Sequence, residues 1–205
     1  MNVELTLKNC RLAFADSMTE ARSVAGGAER YSVVLIIEDD ATLKQVRDAM
    51  DQIAKEEFGG KAPEGPNSCF RDGNKNVSQK SGTVYEGFAN KFYLSANRAF
   101  KQGPPLVLSN RKDPDTGKPK ILTDKRSESW PVSGDYVNAK VTLFTLNGAN
   151  DRKNARTTAF GRKVCCELSA VQYWKKGERF GASAPSPEGL DTLPEEEDSE
   201  MGALA

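Results

Sequence analysis

Tyr136, Lys140 and Phe144 recur at every fourth position of one short segment and alternate with Val137, Ala139, Val141 and Leu143. A strand sends successive side chains to opposite faces. The segment Tyr136 to Leu146 therefore carries one apolar face and one face on which two aromatic rings flank a cation. Such a face does recognition chemistry. A π surface stacks on a nucleobase and an ammonium neutralises a phosphate, the combination that a single nucleic-acid strand requires. Lys91 and Tyr93 repeat the theme on a second segment, Phe88 to Asn97, with Phe88, Phe92, Leu94 and Ala96 on its core side. Arg98, Lys101, Arg111, Lys112, Arg156 and Arg162 flank the two segments and are expected to wall a basic groove. A second arrangement stays open at this level: Tyr136 and Phe144 could instead pack beneath a helix or a partner sheet, since sheets are often covered on both faces.

Bond-making chemistry finds little support. The chain has no histidine, which removes the commonest general base and the Ser-His and Cys-His nucleophilic pairs. Neither G-x-x-x-x-G-K-[ST] nor G-x-G-x-x-G occurs, so the usual phosphate-cradling loops are missing. Cys10, Cys69, Cys165 and Cys166 contain no C-x-x-C pair and read as reduced thiols, and no structural zinc, other metal or cofactor is expected. A metal-dependent nuclease would have to use Asp72, Asp113, Asp115 or Asp135. Their Gly, Pro and Lys neighbours mark turns instead.

Charge is sorted along the chain. The sequence holds 29 basic and 29 acidic side chains, yet seven of the acidic ones and no Lys or Arg fall after Phe180, so a body of +7 is joined to a tail of −7. Ala182-Ser183-Ala184-Pro185-Ser186-Pro187 has linker composition. We therefore expect residues 1–180 to form one domain and residues 181–205 a flexible acidic tail. No apolar run approaches the roughly 20 residues of a membrane helix, and the start of the chain lacks the pattern of a secretory signal. A soluble, cytoplasmic protein with no membrane partner is the expectation.

The elements that must position these residues are mostly strands. Leu5, Leu7, Cys10, Leu12 and Phe14 predict an extended first strand with one irregularity, and Tyr31 to Ile37 a buried second one. Leu43, Val46, Met50 and Ile53 predict a helix, with Asp39 or Asp40 at its N-cap and Gly59-Gly60 at its end. Its Asp48, Asp51, Glu56 and Glu57 make it an unsuitable contact for an anion. Pro63 to Val84 reads as a partly mobile loop, Leu106 to Leu108 as an edge strand, and Thr157 to Trp174 as a long bent strand. The fold class this predicts is mainly β: five or six strands and one α-helix in a small, closed or partly open β-barrel, not a layered α/β sheet.

Five segments then carry a family resemblance. They are Arg71-Asp72-Gly73, Phe92 to Asn97, Ser133 to Ala139, Leu168 to Gln172 and Lys175 to Glu178. In this order, over roughly residues 3 to 181, the chain resembles the phage single-stranded DNA-binding protein family. The resemblance implies an OB-type barrel with an acidic C-terminal tail, acting without catalysis. Its members coat single-stranded DNA during replication or recombination in the host bacterial cytoplasm. The expected partner is single-stranded DNA, bound with little sequence preference. Weak affinity for double-stranded DNA and a homo-oligomer are left open, and replication proteins such as a polymerase or a helicase/primase would be recruited through residues 188–205. One departure stands out, because this tail ends Met201-Gly202-Ala203-Leu204-Ala205 with no aromatic residue. Strand annealing or recombination mediation is the rival reading, and virion assembly a more distant one.

Overall fold

A computed structural model describes residues 1–23, 27–147 and 161–180. The acidic segment 181–205 and Arg156 lie outside the described residues. Eight strands and one α-helix follow in chain order: β1 Asn2–Ala13, β2 Arg30–Ile37, α1 Asp40–Phe58, β3 Phe70–Asp72, β4 Phe92–Ala99, β5 Leu106–Lys112, β6 Pro119–Ile121, β7 Tyr136–Asn147 and β8 Arg162–Lys175.

Five of these strands form a ring in the order β1-β2-β4-β8-β7, closed by the antiparallel β7–β1 pair. The seam between β4 and β8 is one parallel contact, Asn97 opposite Glu167. This is a partly open barrel, one of the two forms the alternation patterns left open, and it is of the OB type that the family resemblance implied. The additional strands use what the seam leaves free. β3 pairs with Phe92 to Leu94 of β4, while β5 pairs with Ala170 to Gln172 of β8 and carries β6 as a hairpin partner.

The inward side chains follow from the period-2 pattern. Leu5, Leu7, Leu12, Val33, Leu35, Leu94, Val137, Val141, Leu143, Val164, Leu168 and Val171 fill one core, joined by Val46, Met50, Ile53 and Phe58 from α1. The helix starts where the Asp39 carboxylate accepts a hydrogen bond from the Thr42 amide at 2.8 Å, and stops at Gly59 in the left-handed region, φ 68°. The irregularity of β1 is a register shift between Leu7 and Cys10 around Asn9, φ 52°. It keeps both Leu7 and Cys10 on the inner face.

Two sequence expectations need correction. The strand read from Phe88 begins at Phe92, and Phe88 lies on the preceding loop. That loop folds back over the outer face of β1, β2 and β4. There Phe88 and Tyr93, with Ala13 and Ile36, build a second small core flanked by Val34, Val84 and Phe180. Close approach requires glycine here: a Cβ on Gly87, φ 80°, would collide with the Phe180 ring.

Candidate nucleic-acid interface

The outer face of β7 is the part of the barrel that keeps the predicted chemistry accessible. Lys140 is 59% exposed, and its Nζ lies 4.0 Å from Glu4 on the neighbouring β1, whose side chain is 73% exposed. An ion pair this exposed is worth little, so phosphate can compete for the lysine. Phe144 is half-buried, opposite Asn2 of β1 and Cys165 of β8. Tyr136, also half-buried, donates its hydroxyl to Glu38 at 3.0 Å. The Lys175 ammonium lies 4.5 Å from its ring centroid, and the Arg11 guanidinium 5.9 Å. Desolvation, then the hydrogen bond and charge of Glu38, push the Tyr136 phenol up from its ordinary pKa. The phenol stays uncharged near neutral pH, and its ring lies beside two cations.

Arg11 extends this cluster. Its Nε donates to the Gly134 carbonyl at 3.2 Å, its Nη2 donates to the Glu178 carbonyl at 2.7 Å, and its guanidinium lies 4.4 Å from the Phe180 centroid. It ties β1 to the last described residues. Nothing in its local sequence marks it for this role.

The other candidates divide into exposed and committed groups. Lys101 is exposed on a short turn beside Phe100, itself 53% exposed and stacked on Tyr31 at 6.1 Å. Arg111 and Lys112 are exposed at the end of β5, with Arg111 3.7 Å from an equally exposed Glu128. Lys91 is half-buried, and its backbone holds the loop that carries Phe88.

Tyr93 was expected on an open face, but it is buried, edge-to-face against Phe88 at 5.2 Å, and offers no platform to a base. Arg98 was expected in the groove wall. It donates instead across the seam, to the Glu167 carboxylate and the Leu168 carbonyl at 3.4 Å and to the Gly103 carbonyl at 3.1 Å. Arg162 caps α1, donating to the Phe58 carbonyl at 3.0 Å with its guanidinium 4.8 Å from the Phe58 ring.

The sequence reading missed an exposed aromatic pair, Phe14 and Tyr85, 48% and 40% exposed and edge-to-face at 5.8 Å. Alternation had put Phe14 with the inward residues. Its left-handed backbone, φ 57°, turns it outward at the end of β1. An aromatic ring within a polar loop was the available signal for Tyr85. Trp174, which as a large aromatic residue would ordinarily be expected in a core, is 49% exposed on β8.

Three of the four carboxylates considered for catalysis, Asp72, Asp113 and Asp135, accept hydrogen bonds in turns. Asp135, which is buried, accepts from the Val132 and Gly177 amides at 3.0 and 3.1 Å, and Asp72 accepts from the Asn74 amide at 2.9 Å. Asp113 accepts from the Asp115 and Thr116 amides and the Thr116 hydroxyl, which hold its carboxyl below the ordinary value. Burial pushes the Cys10 and Cys69 thiols up to about 12, far from nucleophilic. Among the described residues no cluster of His, Cys, Asp or Glu is suited to a metal ion, and no helix is long and apolar enough to cross a membrane.

Barrel and surface together define an OB-type protein with one strand face on which an exposed lysine lies between two half-buried aromatic residues. The chain matches, over residues 3–201, the family model described as "Enterobacter phage Enc34, ssDNA-binding protein", and it belongs to that family. This is a family of phage single-stranded DNA-binding proteins, not of enzymes. Among solved structures it is similar to the single-stranded DNA-binding protein from bacteriophage Enc34 in complex with ssDNA, with TM-score 0.61 and 17% identity over 87% of this chain and 89% of that one. The same phage protein in a second structure gives a TM-score of 0.58 at 16% identity, over 91% and 88% of the two chains. The single-stranded DNA-binding protein gp2.5 of bacteriophage T7 gives 0.48 at 15% identity, over 100% of each chain. No curated protein matches the sequence.

Proposed function

We propose that this chain binds single-stranded DNA across the outer face of β7 and coats it during phage replication or recombination. Bases stack on Tyr136 and Phe144 and on the exposed Phe14–Tyr85 pair. Lys140, Lys101, Arg111, Lys112 and Lys91 neutralise phosphates. The observation that carries this reading is the accessible Lys140 between two aromatic residues on one strand face. Sequence preference is weak, because every base has a π face and the cations read only the backbone.

Titration of oligo-dT, followed by Tyr and Trp fluorescence at several salt concentrations, tests it. Four to six phosphate contacts give a slope of log affinity against log salt of about −3 to −4, at roughly −0.7 per contact. A flat response refutes the electrostatic part.

The acidic segment adds regulation. Seven carboxylates tethered through a Pro/Ser linker sit at high effective concentration beside the cationic face and occupy it as a weak phosphate mimic until DNA displaces them. Residues 188–205 are then released to recruit a polymerase or a helicase/primase, with Leu190, Leu193, Met201 and Leu204 as apolar contacts. Deleting residues 181–205 should tighten oligo-dT binding most at low salt, where the competitor is least screened. Unchanged affinity across the salt range would leave the segment no part in DNA binding.

A further inference from the structure

A groove of about 790 Å³ opens between α1 with the 60–66 loop on one side and β3 with the start of β4 on the other. It lies outside the β7 face, and its size suits a small ligand or part of a polymer. On its wall Phe70 and Phe92 stack at 5.3 Å with planes 23° apart, and both rings are half-exposed. The Arg47 guanidinium lies 4.8 Å from the Phe92 centroid, so a cation and two stacked rings share this wall.

Charge points to the class of ligand. Arg71 also lines the groove, held by donation to the Ser68 and Pro66 carbonyls at 2.7 and 3.5 Å, and Lys75 is exposed at the rim. Of the acidic residues around the groove, Asp72 accepts from the Asn74 amide and Glu64 lies 3.8 Å from Lys61, while Asp51 stands on α1. Two further cations, Arg71 and Lys75, beside the rings and Arg47 favour a ligand that is both flat and anionic. A nucleotide has that chemistry, its base extending the stack and its phosphate meeting Arg71 and Lys75.

We propose that this groove is a second nucleotide subsite, occupied by single-stranded DNA long enough to pass from the β7 face around the barrel. The proposal rests on the single-strand reading above. α1, whose acidic surface argued against anion contact, then contributes one cation to DNA through Arg47.

The test compares oligo-dT of about six and about thirty nucleotides, below and above the span of one OB barrel. Arg47 and Lys75 are both exposed, so the double substitution Arg47→Ala, Lys75→Ala should keep the native melting temperature. The expected result is about tenfold weaker binding of the long oligonucleotide, with the short one unchanged. Lys140→Ala, on the β7 face, should weaken both. A wild-type thirty-mer carrying 4-thiothymidine should also photo-cross-link to Phe70 or Phe92, a readout that needs no substitution.

If wild type binds both oligonucleotides but the double variant binds the long one normally and no cross-link forms at these rings, the subsite is refuted and the β7 reading stands. That result would suit a groove for a peptide. If wild type binds neither length, the single-strand reading fails and the subsite fails with it.

Discussion

Tyr136 on β7 and Tyr93 on β4 occupy equivalent outward positions on two parts of one barrel, yet only the first belongs to an accessible face. Over β4 the loop bearing Val84 and Phe88 folds back, Phe180 joins it, and Tyr93 becomes core. Over β7, among the described residues, Lys175 and Arg11 lie against the Tyr136 ring and Gly177 packs at its edge, while Lys140 faces solvent. Strand alternation assigns a face. Whether the face is covered is decided by chain many residues away.

The largest expected effect comes from attacking the covered half. Tyr93→Ala or Phe88→Ala empties a packed site and should cost about 3 kcal/mol or more of stability, read as a lower melting temperature. Tyr136→Ala and Phe144→Ala should keep most of that stability and each weaken oligo-dT binding by about 1–3 kcal/mol. If both β7 variants instead unfolded at wild-type DNA affinity, the two halves would be alike and β7 would be a second core.

The contrast marks how far the sequence was legible. The periodicities identified the barrel strands, the helix with its cap at Asp39 or Asp40, of which Asp39 caps it, and the inward residues Val137, Ala139, Val141 and Leu143. They failed where a partner is distant: Arg98, half-buried, meets Glu167 69 positions away. A composition-based reading counts Arg98 as an available cation, because nothing local says that its donors meet Glu167, Leu168 and Gly103. Phe14 failed for a different reason. One left-handed residue at the end of β1 reverses the direction that alternation assigned.

A smaller effect probes the cover itself. Gly87→Ala places a Cβ against the Phe180 ring at a backbone φ of 80°, so it should destabilise by about 1–2 kcal/mol and loosen the last described residues. Hydrogen exchange at the Phe88 and Lys91 amides, bonded to the Tyr85 and Phe88 carbonyls, would report the loosening. Unchanged stability and exchange would show that Phe180 does not hold the cover closed. On the open face, Lys140→Ala should chiefly reduce the salt slope, by about 0.7. An unchanged slope would remove Lys140 from the set of phosphate contacts.

The smallest expected effect is that of pH on binding, and here the two halves should finally separate. The chain lacks histidine, the side chain whose charge ordinarily changes near neutrality, and Tyr136 has its pKa raised, so its ring stays neutral there. Oligo-dT affinity should be flat from about pH 6 to about pH 8. Stability behaves differently at the acid end. The Asp39 carboxyl is lowered by its hydrogen bonds to Thr42, and that of Asp113 by its bonds to Thr116. A carboxyl with a depressed folded-state pKa contributes stability that is complete above its unfolded value, about pH 4, and lost as pH falls through the folded one. Acid should therefore unfold the body from the α1 cap and the turns, visible as falling helical ellipticity, while affinity measured above that range does not move. A binding transition between pH 6 and pH 8 would mean that a group outside the β7 face controls access to it.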